Sequence, residues 1–268
     1  MSGLIRPLVL VDLDDTLFQT RAKCPSHVAD GELTIAATAS SGNHSFMTPP
    51  QKAMVAWLLA TTDVVPGTTQ PGNAGWAGVE IVFQAGAILS NGALIRKADG
   101  SIDAGWQATV ATDLARYRQA IKEVLAAGRA SAARAGLDVR SLAVGENGVL
   151  AYVVFKDNSG TGEGLADIVF DPALVAGWTR HHNGNNLALI PPVVSKRRAA
   201  SYLIGGARAL EPAKPVLGLG DSLSDIPFLQ LCDWWGMPAR SQIARAMSDL
   251  DGRAPGDPAE DIGAGVGL

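Results

Sequence analysis

The sequence predicts an α/β fold, in which a doubly wound parallel sheet carries a smaller inserted α+β unit. Short apolar runs without polar alternation predict strands that are buried on both faces, as in a parallel sheet. Amphipathic segments between these runs predict helices that cover the sheet. The middle of the chain differs, because long helical stretches are followed there by runs that suit antiparallel strands. We therefore expect a core made of residues 1–95 and 191–268, with residues 96–190 as the insert.

The elements of the core follow from local patterns. A helix is predicted over residues 48–62, since Thr48 suits an N-cap and two prolines occupy the first turn. A second amphipathic helix is predicted over 195–210, and residues 31–48 predict a hairpin that forms a flap near the end of the first strand. The strands are predicted at LVLV (8–11), DVV (63–65), EIVFQAGA (80–87) and VLGLG (216–220).

The insert begins with a helical pattern and continues with strands. Residues 106–136 predict one long amphipathic helix or two shorter ones. Residues 138–157 contain two runs around Asn147-Gly148, a pair that favours a tight hairpin turn. Residues 185–192 predict one more strand.

The composition indicates a globular protein and excludes several other classes. Of the 268 residues, 47% are hydrophobic, which is enough for a sizeable apolar interior. The net charge of −4 provides no basic surface for a nucleic acid. The apolar run from Leu4 to Val11 is too short to span a membrane, and its acidic end is unlike a signal peptide. We expect a cytoplasmic protein without nucleic-acid or membrane partners, and no pattern predicts its oligomeric state.

Four aspartates are the main candidates for chemistry. Asp12 and Asp14 follow the first strand, and Asp221 and Asp225 follow the last one. Because ligands of open α/β sheets bind beyond the carboxyl ends of the strands, these side chains are expected to meet in one crevice. Crowded carboxylates raise each other's pKa, so a cation or a reaction that needs a protonated acid would explain them. Carboxylates without His or Cys suit Mg²⁺.

Two further features suit a phosphate group. Thr68 and Thr69 end the second predicted strand, where a hydroxyl can donate to a phosphate oxygen. Lys196 begins a predicted helix, where its ammonium can neutralise a phosphate and a neighbouring carboxylate. Read in isolation, each of these is also compatible with a turn residue or a solvated helix face.

These motifs together resemble the haloacid dehalogenase superfamily. DLDDT (12–16), a strand-end Thr, a helix-start Lys and GDSLSD (220–225) occur in the order of its four motifs. AILSNGALI (87–95) is similar to a segment found in members with a large α/β cap between the second and third motifs. Such members include sucrose-, trehalose- and mannosylglycerate-phosphate phosphatases and the phosphomannomutases. The resemblance covers about 1–95 and 191–250, and implies a Rossmann-like core.

The resemblance implies a role for each matched residue. Asp12 would attack phosphorus, and Asp14 would be the general acid and then the general base. Neighbouring carboxylates are expected to raise the Asp14 pKa, whereas the metal and Lys196 keep Asp12 ionised. Mg²⁺ would be held by Asp12, the Asp14 backbone carbonyl, Asp221 and, directly or through water, Asp225. Thr68 or Thr69, with Lys196 and backbone N–H groups, would hold the phosphoryl oxygens.

The sequence departs from the family pattern at two positions. Thr69-Gln70 stands where Gly-Arg often follows the motif threonine, so either threonine is a candidate ligand. Ser224 stands where the fourth motif often has Asn, and its hydroxyl is expected to preserve catalysis.

The sequence is compatible with three functions. The first is a Mg²⁺-dependent phosphatase of a small phosphorylated metabolite of the sugar phosphate class, with Asn185 and Asn186 as candidates to bind sugar hydroxyls. The second is a phosphomutase that uses the same aspartyl phosphate. The third is a non-catalytic binding or regulatory protein on the same scaffold.

Overall fold

The structure of the protein is a computed structural model that describes residues 5–38, 42, 44–72 and 76–250. Residues 251–268 of the predicted second core segment therefore lie outside the described part. The chain forms, in order, β1 (Leu8–Asp12), β2 (Gln19–Thr20), β3 (Thr34–Ala37), β4 (Ser45–Met47), α1 (Pro49–Thr61), β5 (Asp63–Gly67), β6 (Ala87–Leu89), β7 (Leu94–Arg96), α2 (Ala104–Ala115), α3 (Arg118–Arg134), β8 (Val139–Glu146), β9 (Val149–Asp157), β10 (Thr179–Asn183), β11 (Asn186–Ile190), α4 (Lys196–Leu210), β12 (Val216–Leu219), α5 (Ile226–Leu229), β13 (Trp234–Gly236) and α6 (Gln242–Leu250).

The core sheet has six strands in the order β13-β12-β1-β5-β6-β7. Strand β1 is central and pairs in parallel with both β12 and β5, so that Leu10 lies between Gly218 and Val65. All five β1 residues are buried, as the unbroken apolar run predicts. Only the edge strand β7 pairs antiparallel with its neighbour in this sheet. The predicted α/β fold with a parallel core sheet is confirmed.

The insert contains a four-stranded antiparallel sheet in the order β10-β11-β9-β8. The hairpin predicted over 138–157 is confirmed, with Asn147 and Gly148 at φ values of 49° and 79° in its turn. Helix α3 packs closely on this sheet. A Cβ at Gly128 would lie only 2.1 Å from the Phe155 ring, so the helix has glycine where it meets the sheet. We refer to this sheet with α2 and α3 as the cap.

Two predicted elements differ in the structure. The strand predicted over 80–87 is wrong, because β6 begins only at Ala87. Ile81 and Phe83 are buried as side-chain anchors of a loop, so the apolar run reflects burial rather than strand pairing. Strand β10 was not predicted, because its sequence is polar.

The flap and the helices follow the predictions more closely. Strands β3 and β4 pair antiparallel, and β2 pairs with β4, although residues 39–41 and 43 of this segment lie outside the described part. Helix α1 begins after Thr48, whose backbone N–H donates to the Gln51 side chain at 2.9 Å. The long helical stretch of the cap is divided into α2 and α3. No helix among the described residues is long and apolar enough to cross a lipid bilayer.

Candidate active site

The centre of the candidate site is an ion pair between the first strand and a later helix. Asp12 is the last residue of β1, and Lys196 is the first residue of α4. The Lys196 ammonium donates to the Asp12 carboxylate and, at 3.0 Å, to Asp225 Oδ1. These side chains are only 13%, 11% and 1% exposed for Lys196, Asp12 and Asp225 respectively. One buried cation is therefore held between two carboxylates.

The turn after β6 determines where α4 begins. Gly92 in this turn has a φ of 95°, and a Cβ there would lie 2.3 Å from the Ser195 carbonyl oxygen. Any other residue would therefore push the helix start away. Ser195 is the N-cap of α4, because its hydroxyl accepts a hydrogen bond from the Arg198 N–H at 3.2 Å. The segment that resembles the family's NGA motif thus positions Lys196.

The loop after β12 brings in the remaining acids. The Asp225 carboxylate accepts from the Ser222 N–H at 3.1 Å and from the Ser222 hydroxyl at 2.8 Å. Gly220 permits this packing, since a Cβ there would lie 2.8 Å from the Asp225 Cβ. Asp12, Asp221 and Asp225 each have a carboxylate oxygen within 4.8 Å of the others. Three carboxylates against one ammonium leave excess negative charge, so the donor set fits a hard cation.

Burial controls the titration of these acids. It raises the pKa of Asp12 to about 8, with contributions from Asp225 and Asp14, although the Lys196 ammonium lowers it. Burial also raises the pKa of Asp221 to about 6, and Asp225 adds to this increase. Although burial disfavours its charged form, Lys196 has a raised pKa because of Asp12 and Asp225. The Lys196 ammonium offsets only part of the effect of burial on the Asp12 pKa, so further positive charge would favour the ionised form of Asp12.

Asp14 has a different environment. Its pKa is raised, as predicted, but burial is the largest cause and the nearby Asp15 carboxylate adds to the increase. The Gln70 side chain lowers it, since its amide nitrogen lies 3.4 Å from Asp14 Oδ2. Gln70 occupies a position where the family often has another residue, and its contact with Asp14 was not predicted. Its raised pKa makes Asp14 a better proton holder than an ordinary carboxyl group.

The acidic residues open into a cavity of about 440 Å³, which we call the acidic cavity. Of the predicted site residues, it is lined by Asp12, Asp14, Thr69, Lys196 and Asp221. Thr68 is instead buried, and its hydroxyl accepts a hydrogen bond from the Gln70 N–H at 3.1 Å. A larger cavity of about 840 Å³ lies beside Arg6 and Asp63, at the opposite ends of the parallel strands, and none of the predicted site residues lines it.

The cap contributes residues that the sequence reasoning missed. His181 and His182 of β10 line the acidic cavity. Burial lowers the pKa of His181, and the nearby Lys196 ammonium also lowers it. Both effects favour the neutral form of the imidazole, whereas Asp225 opposes them. The only sequence signal was the polar run at residues 181–186, because β10 lacks the apolar pattern of a strand.

The two predicted asparagines lie in different environments. Asn185 is in the turn between β10 and β11, and its amide donates to the Asp157 carbonyl oxygen at 3.3 Å. Asn186 lines a second cavity of about 380 Å³, which we call the cap cavity. Thr69 and His181 line both cavities, so the two are adjacent. Asn185 is among the lining residues of neither.

Comparison with known proteins identifies the fold. No family model and no curated protein matches the chain. Among solved structures, the sucrose-phosphatase of Synechocystis sp. PCC6803 in complex with sucrose and phosphate matches with a TM-score of 0.52 and 13% identity, over 93% of this chain and 98% of that one. The chain has the haloacid dehalogenase fold with an inserted cap.

Two other solved structures are similar in fold to this chain. A protein of Thermoplasma acidophilum matches with a TM-score of 0.52 and 16% identity, over 92% of this chain and 91% of that one. A protein of Streptococcus mutans UA159 matches with a TM-score of 0.53 and 12% identity, over 90% and 91% of the two chains. The resemblance seen in the motifs is confirmed at the level of the fold.

Proposed function

We propose that the protein is a Mg²⁺-dependent phosphomonoester hydrolase that acts through an aspartyl phosphate on a small phosphorylated metabolite of the sugar phosphate class. The buried Asp12–Lys196–Asp225 pairing beside Asp14 and Asp221 carries this proposal. It combines a nucleophile, a candidate acid and a cation-binding donor set in one cavity. Residues 1–95 and 191–268 would form the catalytic core, and residues 96–190 would form the cap that selects the substrate.

The reaction has two steps. In the first, an Asp12 carboxylate oxygen forms a bond to phosphorus while the bond to the substrate oxygen breaks, and Asp14 gives its proton to the leaving alkoxide. In the second, Asp14 takes a proton from a water molecule, whose oxygen bonds to phosphorus while the bond between phosphorus and the Asp12 oxygen breaks, which releases inorganic phosphate and regenerates the Asp12 carboxylate. The raised pKa of Asp14 supports its role as the proton donor.

The remaining residues would bind the metal and the phosphoryl oxygens. Asp12, Asp221 and the Asp14 backbone carbonyl would hold Mg²⁺, with Asp225 as a further ligand, directly or through water. When bound, Mg²⁺ supplies positive charge that stabilises the phosphoryl oxygens in the transition state. Lys196 would bind one phosphoryl oxygen. Thr69 is favoured over Thr68 as the hydroxyl donor, because it lines the acidic cavity.

Phosphate release is the experiment that tests this function. We expect wild-type protein to release inorganic phosphate from sugar phosphates with Mg²⁺ and to lose this activity when EDTA is added. Asp12→Asn should abolish release without loss of folded structure. Asp167→Asn removes a charge at an exposed position of the cap and is the matched control.

The same assay separates the alternatives. Formation of an isomeric sugar phosphate without phosphate release would identify a phosphomutase. Binding of sugar phosphates without either reaction would identify a non-catalytic binding protein. An unchanged rate in Asp12→Asn would reject Asp12 as the nucleophile.

A further inference from the structure

The cap cavity has a basic end that the proposed chemistry does not use. Arg140 of β8, Lys156 of β9 and Asn186 of β11 are direct neighbours across three adjacent strands. All three line the cap cavity. The next rows of the same face are apolar and include Leu142, Val154 and Ala188. The cavity is therefore apolar along the sheet and cationic at one end.

The sheet geometry fixes the direction of these side chains. Neighbouring residues of a strand point to opposite faces, so Phe155 and Lys156 lie on different sides of β9. Phe155 is fully buried against α3, at Gly128. Lys156 and its neighbour Arg140 consequently point away from α3, towards the cap cavity.

No described acidic residue forms an ion pair with either of these two cations. Within the described part of the chain, no carboxylate lies within ion-pair distance of Arg140 or Lys156, and neither side chain has a hydrogen bond there. The nearby Asp138 carboxylate accepts from the Asn158 amide at 2.7 Å, and Asp157 accepts from the Gly162 N–H at 2.8 Å. Like charges directly opposite each other destabilise a strand pair. A bound anion between the Arg140 and Lys156 side chains would offset this repulsion.

A buried amide provides a second, independent indication of a ligand. Asn91, in the core turn after β6, also lines the cap cavity and is only 7% exposed. Its side chain is close enough to the Tyr152 hydroxyl to lower the pKa of that group, but Nδ2 is the one buried side-chain nitrogen or oxygen of the described residues without a hydrogen bond of ordinary geometry. A buried donor without an acceptor is unfavourable, so an acceptor from a bound molecule is expected here.

We propose that the cap cavity binds a second anionic group of the substrate, so that the preferred substrate is a phosphomonoester with another phosphate or a carboxylate at its far end. This proposal rests on the proposed function, since the phosphate to be cleaved would lie in the acidic cavity. The second anion pairs with Arg140 and Lys156, and Asn91 Nδ2 donates a hydrogen bond to the molecule. A volume of about 380 Å³ is sufficient for a compound of sugar size.

Three hexose compounds with different far ends test the proposal. Glucose 6-phosphate has no second anion, 6-phosphogluconate has a carboxylate, and glucose 1,6-bisphosphate has a phosphate. We expect wild-type kcat/KM to be about 10-fold or more higher for one of the two doubly anionic compounds than for glucose 6-phosphate, because charge-assisted hydrogen bonds are strong. The doubly anionic compound with the higher kcat/KM shows whether the cap cavity prefers a carboxylate or a phosphate.

The double variant Arg140→Gln/Lys156→Gln should remove this preference, with the ratio of kcat/KM values falling to about 1. The control variant Lys122→Gln/Arg134→Gln removes two exposed charges from α3 and should leave the ratio unchanged. Equal rates of wild-type protein for all three compounds would overturn the proposal. So would a ratio in the double variant that equals the wild-type ratio.

The experiments also distinguish failure of the proposed hydrolase function from failure of the second-anion site. If wild-type protein releases no phosphate even from p-nitrophenyl phosphate, the hydrolase assignment fails, and calorimetric binding of the same compounds tests the cap cavity instead. About 10-fold tighter binding of a doubly anionic compound by wild-type protein, lost in the double variant, would support the second-anion site. Equal affinities for the three compounds would reject it. Because loss of two like charges relieves repulsion, the melting temperature of the double variant should not fall.

Discussion

Glu146 of the cap is hydrogen-bonded to Ser90 of the core. The Ser90 hydroxyl donates to the Glu146 carboxylate, which also accepts from the Gly72 N–H at 2.8 Å. Both side chains are buried, at 3% and 0% exposed for Glu146 and Ser90 respectively. Glu146 ends β8, and Ser90 lies in the turn that precedes Asn91 and Gly92. The contact therefore joins the cap sheet to the turn that positions α4.

We predict that Glu146→Ala weakens the closed arrangement of cap and core. It leaves the Ser90 hydroxyl and the Gly72 N–H without an acceptor, which should lower the free energy of unfolding by about 1–3 kcal/mol. Denaturant unfolding measures the loss, and hydrogen exchange should increase at residues 72 and 90. Glu163→Ala, at an exposed cap position, is the control. Unchanged exchange at both residues would mean that the contact does not hold the cap.

We predict that Gly92→Ala displaces the start of α4. The substitution adds a Cβ 2.3 Å from the Ser195 carbonyl oxygen at a φ of 95°, which should cost about 1–3 kcal/mol of stability or more. Because Lys196 moves with the helix, activity should also fall, as kcat measurements will show. Gly136→Ala is the matched control, since Gly136 has a φ of 67° but no atom within 4 Å of an added Cβ. Equal losses of stability and activity in the two variants would show that the positive φ, and not the contact with Ser195, causes the losses.

The raised pKa values of the acids predict how stability depends on pH when no metal is added. The pKa of Asp12 is raised from 3.8 to about 8, and that of Asp221 to about 6, so the folded state binds more protons than the unfolded state between these values. The stability that these two acids contribute is therefore fully present below pH 3.8 and decreases as the pH rises towards 8. The free energy of unfolding, measured with denaturant across this pH range, tests this prediction.

Two comparisons isolate the source of this pH dependence. Asp12→Asn removes the largest contributor, so its stability curve should be flatter than that of the wild type. Added Mg²⁺ should stabilise the wild type more at pH 8 than at pH 5, because it binds the ionised acids. A wild-type stability that increases from pH 5 to 8 without metal would contradict the raised pKa of Asp12.

Asp157 is predicted to stabilise the cap in the opposite pH range. Its carboxylate accepts from Ser159, Thr161 and Gly162, and the hydrogen bonds from Ser159 contribute most to lowering its pKa to about 2. A lowered pKa means that its stabilisation is present above pH 3.8 and is lost as the pH falls towards 2. Asp157→Asn should lower the melting temperature at pH 7 and have less effect near pH 2.5. Asp167→Asn is the control, and an equal effect at both pH values would reject this role.

Several parts of this protein were determined by local sequence. The apolar run of β1 followed by Asp12 and Asp14, and the run of β12 followed by Asp221, predict strand ends with acids, because parallel strands end at one edge of a sheet. Thr48 and its prolines predict the start of α1, and Asn147-Gly148 predicts the cap hairpin. These signals are local, since caps and turns depend on residues that are adjacent in the chain.

The tertiary structure decided what no local pattern specifies. Whether Thr68 or Thr69 lines the acidic cavity depends on how β5 ends beside β1 and the cap. The apolar run 80–87 predicted a strand that the structure does not contain. A buried loop anchor and a buried strand have the same apolar composition, so the sequence pattern does not separate them. Glu146 and Ser90 meet, as do Arg140 and Lys156, through pairing and packing between segments that are distant in sequence. Such contacts depend on how the cap docks and which strands pair, so only the folded chain determines them.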